Sequence, residues 1–247
     1  MRGFVQLTST DLRLYVREPI AVFFTIAFAP FLIVINGVIF GNEPSPLSGG
    51  VGSMDLAMPA YAAMVLCIIG FMAIPVNIST QRESGVLRRF RSTPLHPATY
   101  ISADVICNLL MAFVGVLVLV VVGWAFYRTT FDGNLIVVGI AIAFCALSMF
   151  SIGYLIAAVA PNPRVANIVG LLILYPMMFL SGIFIPPDVM PESVPRISQF
   201  LPLKYAVDLL RGLWFGEPWS DFLKATAVLL GVLVVCTVLA VRFFRWE

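Results

Sequence analysis

The stretch VICNLLMAFVGVLVLVVVGWAFY, residues 105–127, carries no charged residue, and Asn108 is its one amide. A hydrocarbon core about 30 Å thick is crossed by a helix of roughly 20 apolar residues, so this segment is long enough to span a bilayer. Its apolar residues run continuously rather than alternating. That favours a helix, which satisfies its own backbone, over a barrel strand, which depends on neighbours. Five further runs read the same way, at about 20–40, 57–79, 135–160, 165–185 and 222–241. Pro30, Pro75 and Pro176 fall inside spans and predict kinks, because proline lacks the N–H that the helix ladder needs.

Composition agrees with six crossings. Of 247 residues, 60% are hydrophobic and 11% charged, against roughly 25% charged in an ordinary soluble domain. A soluble core of this size cannot hide so much apolar surface, so the surplus is expected to face lipid. The spans and their connections occupy nearly all of 1–247 as a single all-α transmembrane domain. Cys67, Cys107, Cys145 and Cys236 all lie in apolar runs, where thiols behave as small hydrophobes rather than disulfide partners or metal ligands. Asp11 and Glu18 precede a first apolar run longer than a signal core of about 7–15 residues, so that span is expected to be retained.

Cation placement predicts orientation. Arg2, Arg13 and Arg17 precede the first span; Arg82, Arg88, Arg89 and Arg91 follow the second; Arg242 and Arg245 follow the sixth; and 41–56 holds no Lys or Arg. Basic connections stay on the cytoplasmic side, so both termini are expected there. The 186–221 connection then lies outside despite Arg196, Lys204 and Arg211, long connections carrying less weight in this rule.

Ionisable groups at bilayer depth mark proton relays, voltage sensors and intramembrane proteases. The span centres carry none, and Asp104 and Lys224 read as edge residues. The uncharged polar groups Asn36, Asn77, Asn108, Ser148, Ser151, Tyr154, Asn167 and Tyr175 read as interhelical hydrogen bonds or as a pathway with weak, adaptable contacts. No carboxylate pair, Ser/His set or Cys/His set shares one depth, and His96 sits alone between Pro94 and Pro97, so neither an enzyme nor a metal site is expected. A G-x-x-x-x-G-K-[ST] loop is absent. Leu47-Ser48-Gly49-Gly50 resembles an ATP-cassette signature, but it sits in an external loop without the helix that would face phosphate. A transporter of this composition needs a partner for its driving energy.

Three segments outside the spans carry pattern. On a helix, Arg2, Gln6, Arg13 and Arg17 fall within an arc of roughly 60° opposite Phe4, Leu12 and Tyr15, which predicts a basic amphipathic helix over 2–18 lying in the interface. The same residues would serve as an ordinary positive flank. Gln81-Arg82-Glu83-Ser84-Gly85-Val86-Leu87-Arg88-Arg89-Phe90-Arg91-Ser92-Thr93-Pro94 reads as a short helix with Glu83, Val86, Leu87 and Phe90 on one stripe, ended by its prolines. Within 186–221, Lys204–Phe215 reads as a helix with Asp208 flanked by Lys204 and Arg211 and with Val207, Leu210 and Trp214 on an apolar face. That suits a segment dipping back into the membrane.

At this point the chain resembles the ABC type-2 exporter permeases, the six-span subunits of drug and antibiotic efflux systems. The resemblance rests on Arg82–Leu95, on Leu180-Ser181-Gly182-Ile183-Phe184-Ile185-Pro186, on Leu201-Pro202-Leu203-Lys204-Tyr205 and on Leu12–Pro19. It implies that 81–95 is a coupling segment docking on a separate ATP-binding subunit, which would hold ATP and Mg. Arg82, Glu83, Gly85, Val86, Arg88, Arg89, Phe90 and Arg91 would make that contact. It further implies an interface helix bearing Arg2, Arg13 and Arg17, and an external re-entrant hairpin bearing Lys204, Asp208 and Arg211. A second permease copy would pair through spans one and five, with Asn36, Asn77, Asn167, Tyr175 and Ser181 at the pathway or dimer seam. The expected cargo is a hydrophobic small molecule, with lipid or lipid-linked glycan as the alternative, in a bacterial cytoplasmic membrane and with no role for nucleic acid. A non-transporting scaffold is the reading from another class.

Overall fold

The computed structural model describes residues 12, 13, 15, 17, 19–43, 51–86, 97–183 and 193–243, and every regular element among them is a helix. Six helices are long and apolar enough to cross a membrane. These are α1 (Phe23–Phe40), α2 (Ser53–Glu83), α3 (Pro97–Tyr127), α4 (Leu135–Val159), α5 (Pro163–Leu180) and α8 (Leu223–Phe243). Before α8 come α6 (Ser193–Ser198), α7 (Pro202–Trp214) and a 3-10 turn, Trp219–Phe222.

All six expected spans are present, with different ends. The span expected at 57–79 runs over Ser53–Glu83, and that expected at 105–127 begins at Pro97. Apolarity marks only the lipid-facing centre. Once nucleated, a helix continues through polar residues such as Gln81–Glu83 because each adds one backbone bond. Two N-termini are fixed by asparagines: Asn134 accepts from the Ile136 N–H at 2.9 Å, and Asn162 from the Val165 N–H at 2.9 Å.

α2 is the axis of the bundle. In its most apolar stretch, 78% of residues are buried within the chain, against 28% in α1 and α5 and 11% in the sixth crossing. It packs against α1, α3, α4, α5 and α7, while α8 lies along α4 and turns Leu230, Val234, Val238 and Val241 outward. Because the outward faces are apolar, they are stable only against lipid or another chain.

Two of the three expected proline kinks take a specific form. Residues Phe23–Ala27 and Ile69–Ala73 are π-helical turns preceding Pro30 and Pro75. The Phe28 N–H bonds to Phe23 and the Ile74 N–H to Ile69, one residue further back than in an α-helix. In α2 this leaves Gly70 without the donor that Ile74 would supply, and Pro75 has none to offer Phe71. Both carbonyls meet glycines. A Cβ on Gly153 of α4 would overlap the Gly70 oxygen, and one on Gly170 of α5 would overlap that of Phe71. Only bare backbone lets these helices approach so closely. Pro176 sits inside α5 with no change of helix type.

Candidate functional site

α2 ends at its polar extremity in a defined turn. The Ser84 N–H bonds to Thr80 at 2.9 Å and the Gly85 N–H to Arg82 at 3.0 Å, with Gly85 left-handed at φ +72°. The helix expected to run through 81–94 is therefore interrupted. Gln81, Arg82 and Glu83 belong to the crossing, and Val86 lies beyond the left-handed Gly85. This is how a glycine just past a helix end terminates it. Arg88, Arg89, Phe90 and Arg91 lie outside the described residues, as does Arg2.

Arg82 is turned into its own chain. Its guanidinium donates to the carbonyls of Ala157, at 3.2 Å, and Ala160 at the end of α4, capping groups that a helix leaves without intrahelical partners. Glu83 is exposed, and Gly85 and Val86 are half-buried. Behind the turn, the Tyr100 hydroxyl donates to Gln81 Oε1 at 2.5 Å, and Gln81 Nε2 donates to Asn77 Oδ1 at 3.0 Å. The end of α2 is thus tied to α3 on one side and to the α4–α5 connection on the other.

Asp104, read as a span-edge residue, is buried inside the bundle. It lies about 10 Å inside α3, is 2% exposed, and accepts the Tyr154 hydroxyl of α4 at 2.5 Å. Within the N-terminal segment, Leu12, Arg13, Tyr15 and Arg17 are helical, with Arg13 and Arg17 exposed and Tyr15 buried. The Tyr15 and Thr25 hydroxyls meet at 2.6 Å. Ten residues of straight helix span about 15 Å, so the chain changes direction between them, and Pro19 is the residue there that cannot continue a ladder.

The polar residues read as a pathway do not converge within one chain. Asn36 donates to the Tyr61 hydroxyl of α2 at 2.8 Å, Asn77 holds Gln81, and Ser181 is buried with no hydrogen-bond partner for its hydroxyl among the described residues. Tyr175 is 55% exposed on the outward stripe of α5 with Ile168, Leu172 and Phe179, and Asn167 borders it, half-buried. α1 presents a matching apolar stripe of Phe31, Ile35 and Val38.

At the opposite end, α7 forms as expected, with Val207, Leu210 and Trp214 buried and Lys204 Nζ 3.0 Å from Asp208 Oδ2. Sequence reading missed the clasp beneath it. Asp55, 6% exposed in the first turn of α2, accepts from the Thr130 N–H at 2.6 Å. Asn42 accepts from the Met54 N–H at 2.9 Å and donates to the Tyr127 carbonyl at 3.1 Å, and Trp214 Nε1 donates to the Thr130 carbonyl at 3.2 Å. These bonds join α1, α2, the α3–α4 turn and α7. The only signal was an aspartate two residues outside an apolar run.

The sequence pattern of the ABC-2 type transporter family matches residues 2–215. The chain is 33% identical over 102 residues to Nodulation protein J of Rhizobium leguminosarum bv. viciae, covering 41% of this chain and 37% of that protein. It is 27% identical over 173 residues to the daunorubicin resistance ABC transporter permease protein DrrB1 of Streptomyces coeruleorubidus, covering 68% and 61%. Over 249 residues it is 23% identical to the probable doxorubicin resistance ABC transporter permease protein DrrC of Mycobacterium tuberculosis, covering 96% and 87%. The chain thus spans less than two thirds of the length of the first two of these relatives.

Proposed function

The chain belongs to the ABC-2 type transporter family, and on that premise we propose that it is the membrane permease subunit of an ATP-driven exporter of hydrophobic drugs or antibiotics. The observation that carries this reading is the family match over residues 2–215, which takes in five of the six crossings and the whole 81–95 segment. Two of the three relatives above are named for resistance to daunorubicin or doxorubicin. An apolar interior with neutral polar groups suits such cargo better than a strongly hydrated ion.

In this proposal a separate subunit binds ATP and Mg and grips residues 82–95, with Glu83, Val86 and Phe90 at the contact. Two permease copies pair through the apolar stripes of α1 and α5, and the route lies between them, where Asn167, Tyr175 and the partly open Asn77 would line it. The termini and residues 81–95 face the cytoplasm of a bacterial inner membrane, and 186–221 the outside. Movement of the partner pulls the turn at Gly85. Arg82 carries that displacement into the end of α4 and so to α5. The π turn at Ile69–Ala73 separates this lower part of α2, to which the start of α3 is tied through Tyr100, from the part packed on α1, α7 and the rest of α3, which makes a tilt of one part against the other the simplest response.

The experiment is a pair of substitutions read in two assays. Glu83→Ala and Phe90→Ala are expected to lower ATP-dependent export and copurification of the ATPase subunit by more than about tenfold, the size of losing one well-buried or charge-assisted contact, with unchanged amounts of permease in the membrane. Full transport by both variants would contradict the coupling role.

A further inference from the structure

The polar side of α7 lines an open cavity of about 580 Å³ that the start of α8 also borders, within the range of roughly 300–1,000 Å³ usual for small-molecule sites. Six charged residues line it: Lys204, Asp208, Arg211, Glu217, Asp221 and Lys224. Lys204 and Asp208 are committed to each other at 3.0 Å. Glu217 and Lys224 are not: among the described residues neither side chain has a hydrogen-bond or ion-pair partner. Glu217 is nevertheless turned into the cavity, because a Cβ on Gly212 in α7 would lie 2.9 Å from its Oε2. Asp221 makes only the 3.1 Å bond from its neighbour Ser220.

The charge left without an ion-pair partner among the described residues therefore comes in both signs, the Glu217 and Asp221 carboxylates and the Lys224 ammonium, all lining the one cavity. An anion alone would face Glu217 and Asp221, and a cation alone would face Lys224 and Arg211. A ligand bearing an ammonium and a phosphodiester satisfies both. Tyr205 and Phe222 add apolar wall, and α8, which borders the cavity at Lys224 and Ala225, carries the outward apolar residues Leu223, Leu230 and Val234. An acyl chain lying along α8 would bring its headgroup to this opening.

We propose that this cavity is a binding site for the headgroup of a zwitterionic membrane phospholipid, of the phosphatidylethanolamine type, with its ammonium on Glu217 and Asp221 and its phosphodiester on Lys224. The site is separate from the segment that would meet the ATPase subunit, and it stands whether or not the export reading does.

The test uses the purified full chain in neutral detergent, delipidated and titrated separately with dioleoyl-phosphatidylethanolamine, dioleoyl-phosphatidylglycerol and dioleoyl-phosphatidylcholine, bound lipid being counted by native mass spectrometry. Phosphatidylethanolamine is expected to bind roughly tenfold more tightly than either competitor, since only it offers both a phosphate and ammonium N–H donors. Glu217→Lys and Lys224→Glu are each expected to erase that preference. Both side chains are exposed and unpartnered, so the unfolding midpoint in detergent alone should not move. Should either variant unfold, the wild-type ranking decides by itself. Equal affinity for the three lipids, or a preference that survives both charge reversals, overturns the proposal.

Discussion

Replacing Gly85 with valine is expected to abolish nucleotide-driven export while leaving the chain folded in the membrane, and replacing it with asparagine is expected to preserve export. Gly85 is left-handed, φ +72°, and a Cβ built on it meets nothing within 4 Å. Crowding therefore plays no part, and the whole effect lies in the backbone. An L-residue in this conformation costs about 1–2 kcal/mol, more for a β-branched side chain, whereas asparagine tolerates it. That is small beside the burial of α2, so the bundle survives. It is large for a turn whose alternatives differ by a few kcal/mol, and a turn in another conformation would aim residues 86–95 elsewhere. ATP-dependent uptake into vesicles carrying the permease and its ATPase is the measurement, with a loss of more than tenfold for valine. Equal losses for valine and asparagine would mean that the glycine is needed for something other than its φ.

The second large effect is expected where α4 and α5 cross α2. Gly153→Leu and Gly170→Leu would drive a side chain into the Gly70 and Phe71 carbonyls, and neither backbone can retreat without unpacking a helix. Overpacking costs about 1–3 kcal/mol and occasionally more, and backbone against side chain belongs at the upper end. Gly139→Leu and Gly231→Leu are the controls, because a Cβ at either position meets nothing within 4 Å. Thermal midpoints in detergent should fall steeply for the first pair and stay near wild type for the second. Uniform behaviour across all four would remove the close crossings from any structural role.

The six crossings were legible because lipid imposes length and apolarity directly on sequence. Their ends were not, since a helix runs on into Gln81–Glu83 or begins at Pro97 without further apolar residues. The prolines were visible, but that Pro75 would be absorbed as a π turn depends on which neighbours can meet the Gly70 and Phe71 carbonyls, and these are Gly153 and Gly170, distant in sequence. Gly85 could have been read as a helix terminator; the apolar stripe of Val86, Leu87 and Phe90 drew the helix through it instead. Arg82 was expected to reach outward, but the unsatisfied carbonyls at the end of α4 are a nearer anion-like partner. Asp55 and Asp104 fell just outside the apolar runs, so nothing marked them as buried. At the α7 end, the Lys204–Asp208 pair and the apolar face were readable at helical spacing, whereas the cavity beside them needed the start of α8 in place.

We propose that a partner that hydrolyses ATP moves this bundle from one side, through the segment between α2 and α3. The most direct measurement places the purified permease in sealed vesicles with a fluorescent anthracycline, with and without the copurified ATPase subunit, and with and without Mg-ATP. Accumulation against a gradient is expected only when subunit and nucleotide are both present. Accumulation by the permease alone, without either, would contradict the account.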